Sequence, residues 1–370
     1  MKATLLKENF LKALSIASKA ISLKATLPVL NNCLIESKEN KLYLTTTNLE
    51  TGINIYLPAK TEEAGILSIP ARPLLEFVNA VPEEKILIES TDESLTVSSG
   101  YYKATLSGIS ASEFPSLPKV SQSNKVGLQK DDLISAVLSV SFCASIDESR
   151  APLTGLLIKG DEKETTFVAT DGYRLSEKKI KGQGFFQGPL LIPSRAAIEV
   201  ARIAQEILKD KEQIVYLSKE ENELLFTFGE VEFFTRLIDS PFPSYQAIIP
   251  TGYSTQARVS LKALEDALKS VSVISKEGGF VAKLAFAKGG TLSLSSAAPQ
   301  VGEAQVQVEG DVEGEGVSVA FNIRYLLEAL NIFTGPSVSF KLTSPTSPVL
   351  LQDEAKADFI HIIMPIRVQA

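Results

Sequence analysis

The residues best suited to chemistry in this chain are few. Thr170-Asp-Gly-Tyr-Arg-Leu175 sets a carboxylate, a phenol and a guanidinium within one turn. Asp-Gly favours a tight turn, so one reading is a plain hairpin. The other is that Tyr173 and Arg174 project onto a surface, since an aromatic and an arginine are the types that anchor protein–protein contacts. A third use, an enzyme of unknown class built on Asp171 and Arg174, has only that charged pair behind it. The one histidine, His361, lies in an apolar strand-like run with no cysteine or carboxylate cluster near it, which argues against a metal site. Cys33 and Cys143 lie in apolar segments far apart in sequence and read as buried reduced thiols. No GxxxxGK[ST], GxGxxG or GxSxG motif occurs, so neither a phosphate loop nor a nucleophile elbow is signalled. Binding fits these residues better than catalysis, and no cofactor is implied.

A second set of cations is ordered by spacing. Residues 69–79 read IPARPLLEFVN, residues 190–208 read LLIPSRAAIEVARIAQEIL, and residues 321–331 read FNIRYLLEALN. Each has an apolar residue, Pro or Asn, any residue, Arg, and an amphipathic run. Arg72, Arg195 and Arg324 are therefore spaced by 123 and 129 residues (72 to 195, 195 to 324). In the middle copy, Pro193 suits a helix start and Ser194 can cap the first turn. Ala197, Val200, Ala201, Ala204 and Leu208 form an apolar stripe at helical spacing. Arg195, Arg202 and Lys209 form a basic line at intervals of seven, as do Lys12 with Lys19 and Lys262 with Lys269. The bland alternative is solvated i,i+4 ion pairs, Arg195 with Glu199 and Arg202 with Glu206, at ~0.3–0.5 kcal/mol each.

The elements that must position these residues recur with the same period, which is that of a small domain rather than a solenoid repeat. A first helix is expected over Lys7–Ile21, Lys130–Phe142 and Leu261–Ile274. Alternating strands follow each, then the arginine-bearing helix, then more strands. The exits also match: Glu113-Phe-Pro-Ser-Leu117 and Pro241-Phe-Pro-Ser-Tyr245. The expected fold is α+β, with three repeated domains at 1–121, 122–250 and 251–370. Each has two helices packed on one face of two small antiparallel sheets. The N-terminal stretch reads as an amphipathic helix rather than a secretory signal.

Composition narrows the function. A chain of 370 residues, 44% apolar and 22% charged, is globular and suits two or three domains. No run of about 18 apolar residues exists, so no membrane span is expected. The net charge is −7, whereas a protein holding nucleic acid by charge alone should be basic. Yet Lys2, Lys7, Lys12, Lys19 and Lys24 precede residue 30 against the single acid Glu8.

The three-fold repeat, TLPVLNNCLIE at 26–36, LTTTNLE at 44–50, IPAR at 69–72, VATDGYRL at 168–175, PFPSY at 241–245 and MPIRV at 364–368 together resemble the bacterial sliding clamp family, the beta subunits of DNA polymerase III. The resemblance spans the chain. It implies a homodimeric ring of two three-domain chains joined head to tail, with helices lining a hole through which duplex DNA threads. An acidic protein can stay on DNA if the link is topological and only the hole is basic, and base-independent phosphate contacts permit sliding. No catalysis by the chain is implied. The resemblance implies DNA-facing roles for Lys12, Lys24, Arg72, Arg150 and Arg195. It implies a partner-peptide pocket at Leu153, Thr170, Tyr173, Arg174, Leu175, Pro243, Ile248, Ile362, Ile363, Met364, Pro365 and Arg367. Tyr173 stands where many relatives carry His, and Gln369 and Ala370 extend past the usual last residue. The ring would close between the edges near Tyr101–Leu106 and Ala304–Val308, with Lys103, Leu106, Val273, Ile274 and Glu303 at the interface. Implied partners are duplex DNA, a second copy, the replicative polymerase alpha subunit, an ATP-driven clamp loader and other replication and repair proteins. The implied location is the cytoplasm, at the nucleoid during replication.

Overall fold

The structure is a computed structural model. It describes residues 1–21, 27–91, 93–122, 125–161, 163–182, 186, 188–210 and 213–367. Lys24, Gln369 and Ala370 lie outside these residues. Among the described residues are the helices α1 (Lys7–Ala17), α2 (Ala71–Ala80), α3 (Lys130–Val140), α4 (Ser194–Ile207), α5 (Leu261–Ser275) and α6 (Ile323–Leu330). The long helices expected from periodicity are present. α1 and α3 stop short of the expected ends, and a turn of tighter 3-10 helix follows each, at Ser18–Ala20 and Ser141–Cys143. None of these helices is long and apolar enough to cross a membrane.

The stretch read as a helix from the N-terminus begins instead as a strand, Lys2–Leu6, and the same change occurs ahead of α3 and α5, at Val126–Gln129 and Thr255–Ser260. Each strand runs straight into its helix. With no turn residue between them, the sequence carried no punctuation for the switch. At α5 the cap is Ser260, whose Oγ accepts from the Ala263 N–H, and at α6 it is Asn322, whose Oδ1 accepts from the Arg324 N–H. Ser194 is already the first helical residue of α4, and its Oγ donates to the Ser141 carbonyl, 3.4 Å away.

The chain packs as two compact units, one of residues 1–134 with 195–237, the other of 135–194 with 238–370. The first unit holds two antiparallel sheets. The five-stranded sheet runs in the order Lys60–Glu63, Lys2–Leu6, Lys85–Ser90, Ser94–Ser99, Tyr102–Ser107. The eight-stranded sheet runs Val126–Gln129, Ile214–Glu220, Glu223–Phe228, Val231–Arg236, Thr51–Pro58, Lys41–Thr47, Asn32–Lys38, Gly65–Pro70. It is continuous across the join between sequence repeats, where Phe233 faces Ile53 and Val231 faces Ile55. α1 buries Phe10, Ala13, Leu14, Ile16 and Ala17, and the Thr46 hydroxyl donates to the Ala17 carbonyl at its end.

The second unit is built on twelve strands. Their order is Leu190–Pro193, Gly155–Gly160, Glu164–Thr170, Arg174–Lys181, Phe359–Ile363, Val349–Asp353, Ser337–Leu342, Thr255–Ser260, Gly302–Gly314, Thr291–Ala298, Val281–Ala287, Val317–Asn322. Arg174–Lys181 and Phe359–Ile363 join the second and third repeats, pairing Leu175 with Ile362 and Ser176 with His361. Two small sheets per repeat is therefore too local an expectation. The middle repeat is divided between the units: residues 122–134 and 195–237 pack in the first, 135–194 and 238–250 in the second. Arg174–Lys181, expected to be half-buried, is covered on both faces from Arg174 to Lys178, with Tyr245 against Glu177 on one and Cys143 against Ser176 on the other.

Candidate functional site

The turn at 170–174 is fixed by its own side chains. Asp171 Oδ1 accepts the N–H groups of Tyr173 (2.8 Å) and Arg174 (3.0 Å). The Thr170 hydroxyl donates to the Arg174 carbonyl (2.6 Å) and accepts the Gly172 N–H (3.1 Å). Gly172 has φ of +90°, a conformation costly for any side chain with a Cβ. Asp171 is thus engaged as a turn former, which removes the basis for an acid–base pair.

The two residues expected to project from the turn behave differently. Tyr173 is 57% exposed, whereas Arg174 is 8% exposed. The Arg174 guanidinium donates through Nε to Asp171 Oδ2 (3.1 Å), through Nη1 to Glu328 Oε2 (2.5 Å) and through Nη2 to the Phe142 carbonyl (2.8 Å). The rings of Phe142 and Tyr325 lie against it, 5.3 and 4.3 Å from the guanidinium carbon. The reading in which Arg174 projects onto a surface does not hold: two carboxylates and a carbonyl keep the guanidinium buried.

The remaining pocket candidates divide by sheet face. Opposed residues of an antiparallel pair share a face and successive residues alternate. Thr170, Leu175 and Ile362 lie on one face, in register. Leu175 and Ile362 pack there with Leu157, Val168, Leu191, Tyr245 and Leu350. Ile363 lies on the other face, in the core beneath α5 and α6. It is one residue from Ile362 in sequence, and period-two alternation separates them. Thr170, Leu175, Ile362 and Ile363 are all buried, so the first three are a floor rather than an open wall.

Above that floor runs the 241–249 segment. Tyr245 is its anchor: the phenol donates to Glu177 Oε2 (2.6 Å), the ring meets Phe242 edge-on, and Lys159 Nζ lies 4.8 Å from the ring centre. Burial pushes the Tyr245 phenol's pKa up, and the Glu177 hydrogen bond pushes it the same way. Pro243 and Ile248, flanking this anchor, are exposed. At the end of the last strand, the Met364 N–H donates to the Tyr173 carbonyl and the Ile366 N–H to the Ala320 carbonyl, both at 2.8 Å. Met364 and Pro365 are half-buried between these ties, and Arg367 is exposed. Leu153 is half-buried, its carbonyl accepting the Ser145 N–H at 2.8 Å.

On the opposite face lies a cluster the sequence did not announce. His361 is fully buried, with Nδ1 2.8 Å from Ser176 Oγ and 3.8 Å from Cys143 Sγ, and its ring stacks on Phe142. Burial pushes the imidazole pKa down to about 3, with the Arg174 charge acting in the same direction. Burial also pushes the Cys143 thiol up to about 12. A neutral imidazole and a protonated thiol are structural groups here, and no group of three or more metal-ligating side chains occurs among the described residues.

Arg72, Arg195 and Arg324 each occupy the second residue of their helix, α2, α4 and α6, and all are exposed. Arg72 pairs with Glu76 (3.0 Å), and the Arg324 guanidinium lies over the Phe280 ring (5.2 Å). The expected Arg202–Glu206 pair does not form. Arg202 reaches back to Glu199 (3.0 Å), and Glu206 is taken by Lys19 (3.2 Å). Lys12 is exposed on α1. Arg150 is half-buried, held by Asp147 (3.3 Å) and by the Asp171 carbonyl (3.0 Å).

Both sheet edges expected at the ring closure are open among the described residues. Tyr102–Ser107 ends the five-stranded sheet, with Lys103 exposed and Leu106 half-buried. In Gly302–Gly314, residues 310–314 pair with Thr255–Ser260, while 302–309 pair only with Thr291–Ala298 among the described residues. Glu303 is exposed there. Val273 near the end of α5 is 65% exposed, beside a half-buried Ile274.

Comparison with known proteins agrees with this architecture along the whole chain. Residues 1–118, 127–244 and 246–367 match, in order, the N-terminal, central and C-terminal domains of the DNA polymerase III beta subunit. The chain is 28% identical to the beta sliding clamp of Synechococcus elongatus, with all of both chains covered, and 27% identical to that of Staphylococcus aureus, with 99% of each covered. The crystal structure of the DNA polymerase sliding clamp from Bacillus subtilis superposes with a TM-score of 0.94 at 26% identity, covering both chains fully. Three domain matches in sequence order and a shared fold over the full length lead to one conclusion: the chain belongs to the DNA polymerase III beta subunit family, the bacterial sliding clamps.

Proposed function

We propose that this chain is a DNA sliding clamp that encircles duplex DNA and tethers the replicative polymerase to it, conferring processivity with no catalysis of its own. The observation that carries the reading is the arginine at the second position of α2, α4 and α6 on a chain whose net charge is −7. A helix start already presents N–H groups and the positive end of the dipole, so an arginine there makes a phosphate-facing spot without base readout. Non-specific affinity from a few such contacts is weak and falls with salt, so retention must come from topology.

The ring is a homodimer closed head to tail. The open strand Tyr102–Ser107 of one copy pairs with the open 302–309 edge of the other, with Val273 and Ile274 packed beside it. Two unpaired rows of backbone N–H and C=O groups support this reading, since such edges are otherwise liabilities. The three domains are 1–121, 122–250 and 251–370. Lys12, Lys24, Arg72, Arg150 and Arg195 face the DNA. Tyr173, Pro243, Ile248, Met364, Pro365 and Arg367 receive a partner peptide over the floor of Thr170, Leu175 and Ile362, with Leu153 beside it. Partners are the polymerase alpha subunit, an ATP-driven clamp loader and other replication and repair proteins, in the cytoplasm.

The test is retention on nicked circular DNA, loaded by a cognate clamp loader with ATP and then linearised. Protein that stays on circles and leaves linear ends is held topologically. Protein retained equally on linear DNA is held by affinity, and the reading fails.

A further inference from the structure

We propose that Glu328 is a positioning residue for the peptide pocket: from α6 it holds Arg174, and through the 170–174 turn it sets the place of Met364. This rests on the pocket reading above. Glu328 has a nearer conventional partner, since Arg324 lies four residues earlier on the same helix, at ion-pair spacing. That pair does not form. Arg324 covers the Phe280 ring, and Glu328 reaches across to Arg174 Nη1.

A chain of short contacts leads from Glu328 to the pocket. The Phe142 and Tyr325 rings lie against the Arg174 guanidinium, and three acceptors hold it, Asp171, Glu328 and the Phe142 carbonyl. Asp171 also receives the Tyr173 and Arg174 N–H groups, so a guanidinium released by Glu328 would draw on the same carboxylate that shapes the turn. The Tyr173 carbonyl accepts the Met364 N–H. A displaced turn therefore displaces Met364, the half-buried, adaptable side chain at the pocket. Removing one partner of a buried cation costs more than the pair contributed, because the other charge stays buried.

The chain has two methionines, Met1 and Met364, so a 13C-methyl-methionine spectrum of the full-length protein has one reporter at the pocket and one in the other compact unit. In Glu328→Gln the Met364 signal should move while the Met1 signal holds. Affinity for the purified replicative polymerase subunit should fall about tenfold, the scale of a residue that acts on a site without touching the ligand. Glu328→Asp, which keeps the carboxylate, should recover part of that loss. Met364→Ala assigns the signal and tests the pocket itself. If Met364→Ala leaves binding unchanged, the pocket reading fails. If Met364→Ala weakens binding but Glu328→Gln moves neither signal nor affinity, the positioning role fails. Loss of affinity with a shifted Met1 signal reports general destabilisation and also overturns it.

Discussion

Glu206 is held by Lys19, 3.2 Å away and 187 residues earlier in the chain, and not by Arg202 one turn before it on α4. The pairing draws a lysine out of the seven-residue basic line and leaves Arg202 to Glu199. On an exposed surface either pair contributes at most ~1 kcal/mol to stability, so the choice matters for where free positive charge lies, not for folding.

That allocation predicts a salt effect. Glu206→Gln releases Lys19 for phosphate, and the slope of log affinity for duplex DNA against log salt should steepen by about 0.9, the increment for one phosphate contact. Arg195→Ala should flatten it by a similar amount. Fluorescence anisotropy with a short duplex at several salt concentrations measures both, and equal slopes in all three proteins would remove these side chains from the DNA surface.

Tyr245→Phe removes the phenol that meets Glu177, leaving a buried carboxylate short of a donor. A loss of about 1–3 kcal/mol in unfolding free energy is expected, the usual cost of an unsatisfied buried group. Because Tyr245 also pins the segment bearing Pro243 and Ile248, polymerase binding should weaken as well. Urea titration and surface plasmon resonance read the two effects separately.

His361 makes stability depend on acid. Its folded pKa, about 3, lies below the unfolded value of ~6.5, so between these the unfolded state binds more protons and stability must fall as pH falls. The contribution is fully present above about pH 6.5 and is lost as pH drops through the folded value. His361→Leu should flatten the limb between pH 6 and 4 in urea midpoints, since Ser176 Oγ and Cys143 Sγ remain 3.2 Å apart and can satisfy each other. A limb of unchanged steepness would assign acid sensitivity elsewhere.

Both cysteines are fully buried, and burial pushes each thiol up to about 12. The thiolate is the reactive form, so native protein should consume almost no Ellman reagent at pH 8, while denatured protein consumes two equivalents per chain. Rapid labelling of one native thiol would show that the core around Cys33 or Cys143 opens readily.

The sequence alone determined the repeat, the six helices to within a few residues, and the placement of Arg72, Arg195 and Arg324 at three equivalent helix starts. These are local properties: a helical stripe and a capping residue are written in neighbouring positions. Tertiary structure decided what long-range pairing decides. It joined each part of the middle repeat to a different neighbour, because strands that alternate alike can extend any open edge, and register is set by partners absent from the local pattern. It buried Arg174, which local sequence places on a turn surface, because Glu328 and the Phe142 carbonyl arrive from 154 and 32 residues away. It brought His361 to Cys143 across 218 residues. It placed Ile362 and Ile363 on opposite faces of one sheet, and only the fold shows which of those faces the pocket candidates share.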